Sequence, residues 1–125
     1  MWDGKKDVAR SVVYDALAEI EKGGANPLET FEAALRNVSP LMEVRSRRVG
    51  GANYQVPREV RPTRKFMLAA QWMIAAARGK KGKPMHAKLA EEILLAFKNE
   101  GAAIKKKQDM HRMAEANREL AHFSW

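Results

Sequence analysis

One stretch has a pattern of apolar and polar residues that differs from the rest of the sequence: Met42-Glu-Val-Arg-Ser-Arg-Arg-Val-Gly-Gly-Ala-Asn-Tyr-Gln-Val-Pro-Arg-Glu-Val60. β-Branched residues roughly alternate with polar ones in both arms, and Gly50-Gly51 separates the arms. This pattern predicts a β-hairpin whose turn tolerates positive φ. With a two-residue loop, the predicted cross-strand pairs are Arg47 with Tyr54, Arg45 with Val56, and Glu43 with Arg58.

The same stretch predicts how the hairpin is placed. Pro57 has no N–H to donate to a ladder, so its strand is expected at a sheet edge. A two-stranded ribbon alone is only marginally stable in water. Arginines are expected on both of its faces. We therefore expect the hairpin to project from a helical body and to dock on a partner.

The flanking sequence predicts helices. The first spans residues 5–22, with Asp3 as N-cap and Gly23-Gly24 as the stop, and the second begins at Asn26-Pro27 with Glu29 placed as in a capping box. Three more are expected after Pro62-Thr63, after Pro84 with Gly101 as the stop, and from about Lys105 to Ala121. Their predicted apolar faces include Val8, Val12, Leu17, Ile20, Leu28, Phe31, Leu35, Val38, Phe66, Met67, Met73, Leu89, Ile93, Leu94 and Phe97. The predicted fold is mainly α: a single-domain helical bundle of about five helices with a protruding two-stranded hairpin at about 42–60.

Composition limits the class of protein. The chain has 125 residues, a formal net charge of +8 and no cysteine. That length suits one domain, and the absence of cysteine excludes disulfides and thiolate metal sites. No run of about 18 apolar residues is present, so we expect no membrane segment.

The positive charge is unevenly distributed. Residues 1–40 carry a net charge of −2, and residues 41–125 carry +10. The excess lies in three clusters: Arg45–Lys65, the residues from Arg78 to Lys88, and Lys105–Lys107. Clustered basic residues indicate a polyanionic partner.

An enzymatic function lacks the residues it needs. His111 and His122 are too far apart along a helix to share a metal ion, and adjacent Glu91 and Glu92 are expected to splay apart. Neither a glycine-rich phosphate loop nor an HExxH motif is present. We expect no catalytic residue, no metal and no cofactor.

Binding to nucleic acid agrees better with the residues. Arginine, unlike lysine, forks onto phosphates and stacks on bases, and Tyr54 and Gln55 add a ring and an amide near the hairpin tip. The helix pair before the hairpin is acidic, which argues against a DNA-recognition helix. The residues therefore predict a helical RNA-binding module. Its basic candidates are Arg45, Arg47, Arg48, Arg58, Arg61 and Arg64 on the hairpin and just after it, with Lys80, Lys81 and Lys83 in a loop.

Three motifs also resemble a known family. They are Asp3-Gly-Lys-Lys6, Ser46-Arg-Arg-Val-Gly-Gly-Ala-Asn-Tyr-Gln-Val-Pro57 with Glu59-Val-Arg-Pro62, and His111-Arg-Met-Ala-Glu-Ala-Asn117 with Ala121-His-Phe-Ser-Trp125. The chain resembles, over nearly its whole length, the bacterial-type family of ribosomal protein seven of the small subunit.

The resemblance implies a cytoplasmic ribosomal protein that binds the 3′ major, or head, domain of small-subunit rRNA and nucleates head assembly. It does not decide between a bacterial and an organellar ribosome. It implies a place at the subunit interface near the exit site, close to mRNA and exit-site tRNA. It also implies contacts with ribosomal proteins eleven, nine and thirteen.

Residue roles carry over by motif. The resemblance implies rRNA contacts by Lys5, Lys6, Arg45, Arg47, Arg48, Tyr54, Gln55, Arg61, Arg64, Lys65, Lys105, Lys106, Lys107, His111, Arg112 and Asn117. It implies that the hairpin tip, made of Arg48, Val49, Gly50, Gly51, Ala52 and Asn53, lies near mRNA and tRNA.

The sequence departs from the family pattern at its start. Family members usually carry about thirty further residues, a basic arm and a helix, before the Asp-Gly-Lys-Lys motif. We expect Val8, Val12 and Leu17 to lack that helix as a partner. A non-ribosomal protein that binds nucleic acid through a basic ribbon, architectural or regulatory, remains the alternative.

Overall fold

The computed structural model describes residues 6–123. Within them the chain forms α1 (Lys6–Lys22), α2 (Pro27–Val38), β1 (Met42–Val49), β2 (Ala52–Glu59), α3 (Pro62–Arg78), α4 (Met85–Phe97) and α5 (Ala102–Ala116), followed by a 3-10 segment (Arg118–Phe123). The predicted mainly α architecture with one hairpin is confirmed. The predicted cap at Asp3 lies outside the described residues.

The caps of α2 agree with the local signals. Asn26 has an extended backbone, and its Oδ1 accepts a hydrogen bond from the N–H of Glu29 at 3.1 Å. Pro27 occupies the first turn, where its missing N–H costs nothing. Asn26 is thus confirmed as the N-cap.

Small residues make up much of the core. Ala16, Ala34, Ala69, Ala77 and Ala96 are fully buried and bring the helices close together. Larger side chains fill the space between them: Ile20, Val38, Met73, Leu89, Ile93 and Ile104. Helix α4 packs against all four other helices and is the centre of the bundle.

The predicted apolar faces are wider than the buried ones. Leu28 is 64% exposed and Phe66 is 58% exposed, and Val8, Met67, Leu94 and Phe97 are also exposed. Periodicity identifies an apolar face but not how much of it a neighbouring helix covers, and the exposure of Val8 agrees with the expectation that it lacks a partner helix. An apolar groove of about 110 Å³ remains beside α1, with Val13, Leu17 and Phe31 among its lining residues.

Two helix boundaries also differ from prediction. Helix α4 ends at Phe97, before Gly101, because Asn99 adopts φ 61°, a left-handed conformation that asparagine tolerates. Helix α5 begins at Ala102, earlier than expected, and ends at Ala116. Its start has no side-chain cap from a neighbouring residue; instead, Glu92 of α4 accepts a hydrogen bond from the N–H of Ala103 at 3.1 Å.

Candidate nucleic-acid interface

The hairpin has the predicted register. Arg47 pairs with Tyr54, Arg45 with Val56 and Glu43 with Arg58. Cross-strand partners share a face, so these six residues lie on one side, which we call the arginine face. The opposite side carries Arg48 beside Asn53, and Gln55 Nε2 donates to Ser46 Oγ at 2.9 Å. Arginines therefore lie on both faces, as predicted.

The hairpin divides into a buried base and an exposed tip. Val56, Pro57 and Glu43 are buried at the base, where α5 and the 3-10 segment pack against the strands. Only the tip half projects. Pro57 lies opposite Val44, in a sheet that has these two strands alone within residues 6–123.

The turn depends on its two glycines. Gly50 and Gly51 have φ values of 59° and 85°, which L side chains rarely adopt. Ala52, Asn53 and Arg48 beside them are exposed, so the tip is available to a partner. Lys5 and the side chain of Val49 lie outside the described part of the structure.

A buried carboxylate gathers three arginines at the hairpin base. Glu43 is 2% exposed, and its Oε1 accepts from Arg58 Nε at 3.2 Å. Glu43 Oε2 lies 3.4 Å from Arg64 Nε, and Arg45 Nη1 lies 3.9 Å from Oε1. We call Glu43, Arg45, Arg58 and Arg64 the arginine cluster. With three guanidinium groups and one carboxylate, the arginine cluster has a formal charge of +2.

The start of α3 adds positive potential beside this cluster. Arg61 occupies its N-cap position, and no acidic residue lies in its first turn. Arg64 and Lys65 follow there, although cations are unfavourable at the positive end of a helix dipole. This arrangement favours an anion at the hairpin base.

Helix α5 links the hairpin to the rest of the basic surface. His111 Nε2 accepts a hydrogen bond from the N–H of Leu41 at 3.0 Å, just before β1. Burial lowers the pKa of His111, and the Lys107 ammonium lowers it further. Lys107 Nζ donates to the carbonyl of Asn37 at 2.8 Å. His111 and Lys107 thus contribute to packing, whatever they contact in a complex.

The other predicted residues of this region are more accessible. Lys105 and Lys106 are exposed near the start of α5, roughly 9 Å along the helix axis from His111. Arg112 is exposed and pairs with Asp109, and Asn117 is the half-buried C-cap of α5. Lys6 is exposed at the start of α1.

Acidic partners neutralise much of the positive charge of the lysine loop, the segment that carries Lys80, Lys81 and Lys83. Lys80 Nζ lies 3.2 Å from Glu91 Oε1 and 3.3 Å from Glu92 Oε2, and Lys83 Nζ lies 2.9 Å from Glu91 Oε2. Hydrogen bonds from Lys83 and Lys80 lower the pKa of the Glu91 carboxyl. Lys80 lies between the two carboxylates, of which Glu91 is 43% exposed and Glu92 is fully buried. Lys81 is exposed.

The contacts of Glu92 in this region were not predicted from the sequence. Glu92 is fully buried, and it joins Lys80 of the loop to the N–H of Ala103 in α5. Glu92 therefore ties the loop that carries Lys80 to the start of α5, the helix that carries Lys105 and Lys106. By element, the predicted basic residues fall into two regions: the hairpin with the start of α3, and the lysine-rich loop with the start of α5.

Within residues 6–123, no three histidine or carboxylate side chains gather in a way that would hold a metal ion. In the same residues, no helix is long and apolar enough to cross a membrane.

Comparison with known proteins gives one consistent result. The family model "Ribosomal protein S7p/S5e" matches residues 1–118. The small ribosomal subunit protein uS7 of Pseudothermotoga lettingae is 59% identical over 126 positions, covering 100% of this chain and 81% of the relative. The protein of the same name from Thermotoga maritima gives the same figures, and that of Rhodopirellula baltica is 56% identical over 128 positions, with 82% of the relative covered. The chain therefore belongs to the ribosomal protein S7p/S5e family.

Proposed function

We propose that this chain is a structural, non-catalytic protein of the small ribosomal subunit that binds the head domain of the rRNA and nucleates head assembly. The observation that carries the proposal is the arginine cluster at the hairpin base, beside the positive end of α3. Its positive charge attracts phosphates, and its guanidinium groups can donate paired hydrogen bonds to phosphates held at fixed positions. Family membership supplies the ribosomal context.

The two basic regions divide the proposed contacts. The first comprises the hairpin arginines with Tyr54, Gln55, Arg61 and Lys65. The second comprises Lys81, Lys105 and Lys106, with smaller contributions from Lys80 and Lys83 because glutamates already pair with them. Lys6, Lys107, His111, Arg112 and Asn117 complete the proposed rRNA surface, and Lys5 belongs to it by its motif.

The exposed tip has a different proposed neighbour. Because Arg48 and residues 50–53 project beyond the packed base, we assign them to mRNA and exit-site tRNA. Ribosomal proteins nine, eleven and thirteen are the proposed protein neighbours, and the proposed location is the cytoplasmic ribosome.

Binding to defined transcripts tests the proposal. We expect the protein to bind a transcript of the 3′ major domain of small-subunit rRNA more tightly than a 5′-domain transcript of equal length at the same salt concentration. Duplex DNA that displaces the 3′-domain transcript would favour an architectural DNA-binding function instead. Equal affinity for both transcripts would contradict head-domain specificity.

A further inference from the structure

Glu43 is an unexpected residue to find in a surface that binds a polyanion. It lies at the base of the arginine face and removes one unit of positive charge from the arginine cluster. If net charge alone mattered, a protein with a neutral side chain at this position would attract RNA more strongly than one with Glu43. Its presence there calls for a physical explanation other than net charge.

Burial excludes a direct contact between Glu43 and RNA. The residue is 2% exposed, and its carboxylate lies within 3.9 Å of a nitrogen of three arginines. Those arginine side chains are 44%, 30% and 37% exposed for Arg45, Arg58 and Arg64. Apart from its long-range charge, Glu43 therefore acts on a bound polyanion only through the guanidinium groups that it contacts.

The three arginines come from three different elements. Arg45 lies on β1, Arg58 on β2 and Arg64 in the first turn of α3. Without an anion between them, their like charges would repel one another and their long side chains would sample many rotamers. The contacts of Arg58 and Arg64 with Glu43 use Nε, one of the five N–H donors of each guanidinium.

We propose that Glu43 is a positioning residue whose buried carboxylate holds Arg45, Arg58 and Arg64 together as one preformed phosphate-binding unit. This inference rests on the proposed function, since it concerns how the same surface binds rRNA. Arginines ordered in the unbound protein lose less conformational freedom on binding, so affinity for a phosphate at a fixed position increases. The carboxylate thus strengthens specific binding although it weakens the general attraction.

The proposal predicts an effect opposite in sign to that of net charge. Glu43→Gln adds one unit of positive charge and keeps the size of the side chain. We expect it to bind the 3′ major domain transcript about tenfold more weakly than wild type, with a smaller dependence of affinity on salt. Its affinity for poly(U), which offers phosphates at no fixed position, should stay equal or increase.

Glu59→Gln is the matched control. Glu59 lies on the same hairpin, is exposed, and lies on the opposite face, across from Met42. The same change of charge there should leave binding to the 3′ major domain transcript unchanged or slightly tighter. If Glu43→Gln behaves as Glu59→Gln does, the positioning function of Glu43 is refuted while the proposed function stands. If wild type shows no preference for the 3′ major domain transcript, the proposed function fails and the inference fails with it.

Two further measurements apply if Glu43→Gln does not fold. Glu43→Asp keeps the charge and withdraws the carboxylate by one methylene group, and we expect it to weaken specific binding; wild-type affinity would overturn the proposal. In wild-type protein without RNA, the Nε–H groups of Arg58 and Arg64 should give slowly exchanging NMR signals. Signals that appear only when RNA is added would show that RNA, and not Glu43, orders these side chains.

Discussion

The N–H of Leu41 donates to Nε2 of His111 at 3.0 Å, joining residues that are 70 positions apart in the sequence. This bond attaches the start of β1 to α5 and sets where the hairpin leaves the bundle. It requires a neutral imidazole, because a protonated Nε2 has no lone pair to accept with.

Stability should therefore fall in mild acid through His111. Its native pKa is below the value near 6.5 of an exposed histidine, so the unfolded chain binds the proton more tightly. The contribution is complete above about pH 6.5 and is lost as the pH falls through the native pKa. Urea unfolding at pH 7.5 and pH 5 should show a larger loss for wild type than for His111→Gln, by about 1 kcal/mol. Identical losses would contradict a structural function for this bond.

Loss of Glu92 should destabilise the bundle. Glu92→Ala removes the acceptor of the Ala103 N–H and one partner of Lys80 in a fully buried place, and we expect a loss of about 3 kcal/mol in the free energy of unfolding. Glu91→Ala removes a half-exposed carboxylate that also pairs with Lys80, and should cost much less than Glu92→Ala because solvent screens an exposed ion pair. Urea titrations of both variants give the comparison. Equal losses would show that the buried contacts of Glu92 are not important for stability.

Gly51 should tolerate alanine less well than Gly79. Gly51 has φ 85°, so Gly51→Ala places a Cβ in a left-handed conformation and should cost about 1 kcal/mol. Gly79 has a helical backbone with room for a Cβ, so Gly79→Ala should stabilise by about 0.5 kcal/mol. In thermal unfolding, the midpoint temperature should be lower than that of wild type for Gly51→Ala and higher for Gly79→Ala. The opposite order would contradict the turn geometry.

Arg48 should contribute more to RNA binding than Lys83. Each alanine variant removes one positive charge, but Arg48 is exposed on the hairpin whereas Lys83 lies 2.9 Å from Glu91. Arg48→Ala should reduce the slope of log affinity against log salt by about one, and Lys83→Ala should reduce it by less than half as much. Affinity for the 3′ major domain transcript over a range of salt concentrations measures both. A larger effect at Lys83 would show that its ion pair opens on binding.

Local signals predicted much of the architecture correctly. The alternation around Gly50-Gly51 predicted the strands and all three proposed cross-strand pairs, because a two-residue turn fixes the register. Asn26-Pro27 predicted the start of α2, because capping involves residues only three positions apart. Such features depend on neighbours in sequence, which a single chain displays directly.

The electrostatic character of the site was less accessible. Counting charges placed Lys80 and Lys83 in a basic cluster, but Glu91 and Glu92 pair with them from the following helix. Glu43 was correctly paired with Arg58, yet the approach of Arg64 from α3 was not predicted. These contacts depend on how helices cross, which periodicity does not specify.

Residue order alone therefore determined the mainly α class, the hairpin with its register, and the concentration of positive charge after residue 40. Only the tertiary structure decided which charges remain available, where α5 begins, and how Glu43 gathers arginines from three elements. The physical reason is the range of the interactions. Turns, caps and strand alternation are fixed by residues a few positions apart, whereas a buried carboxylate acquires its partners only when distant segments pack around it.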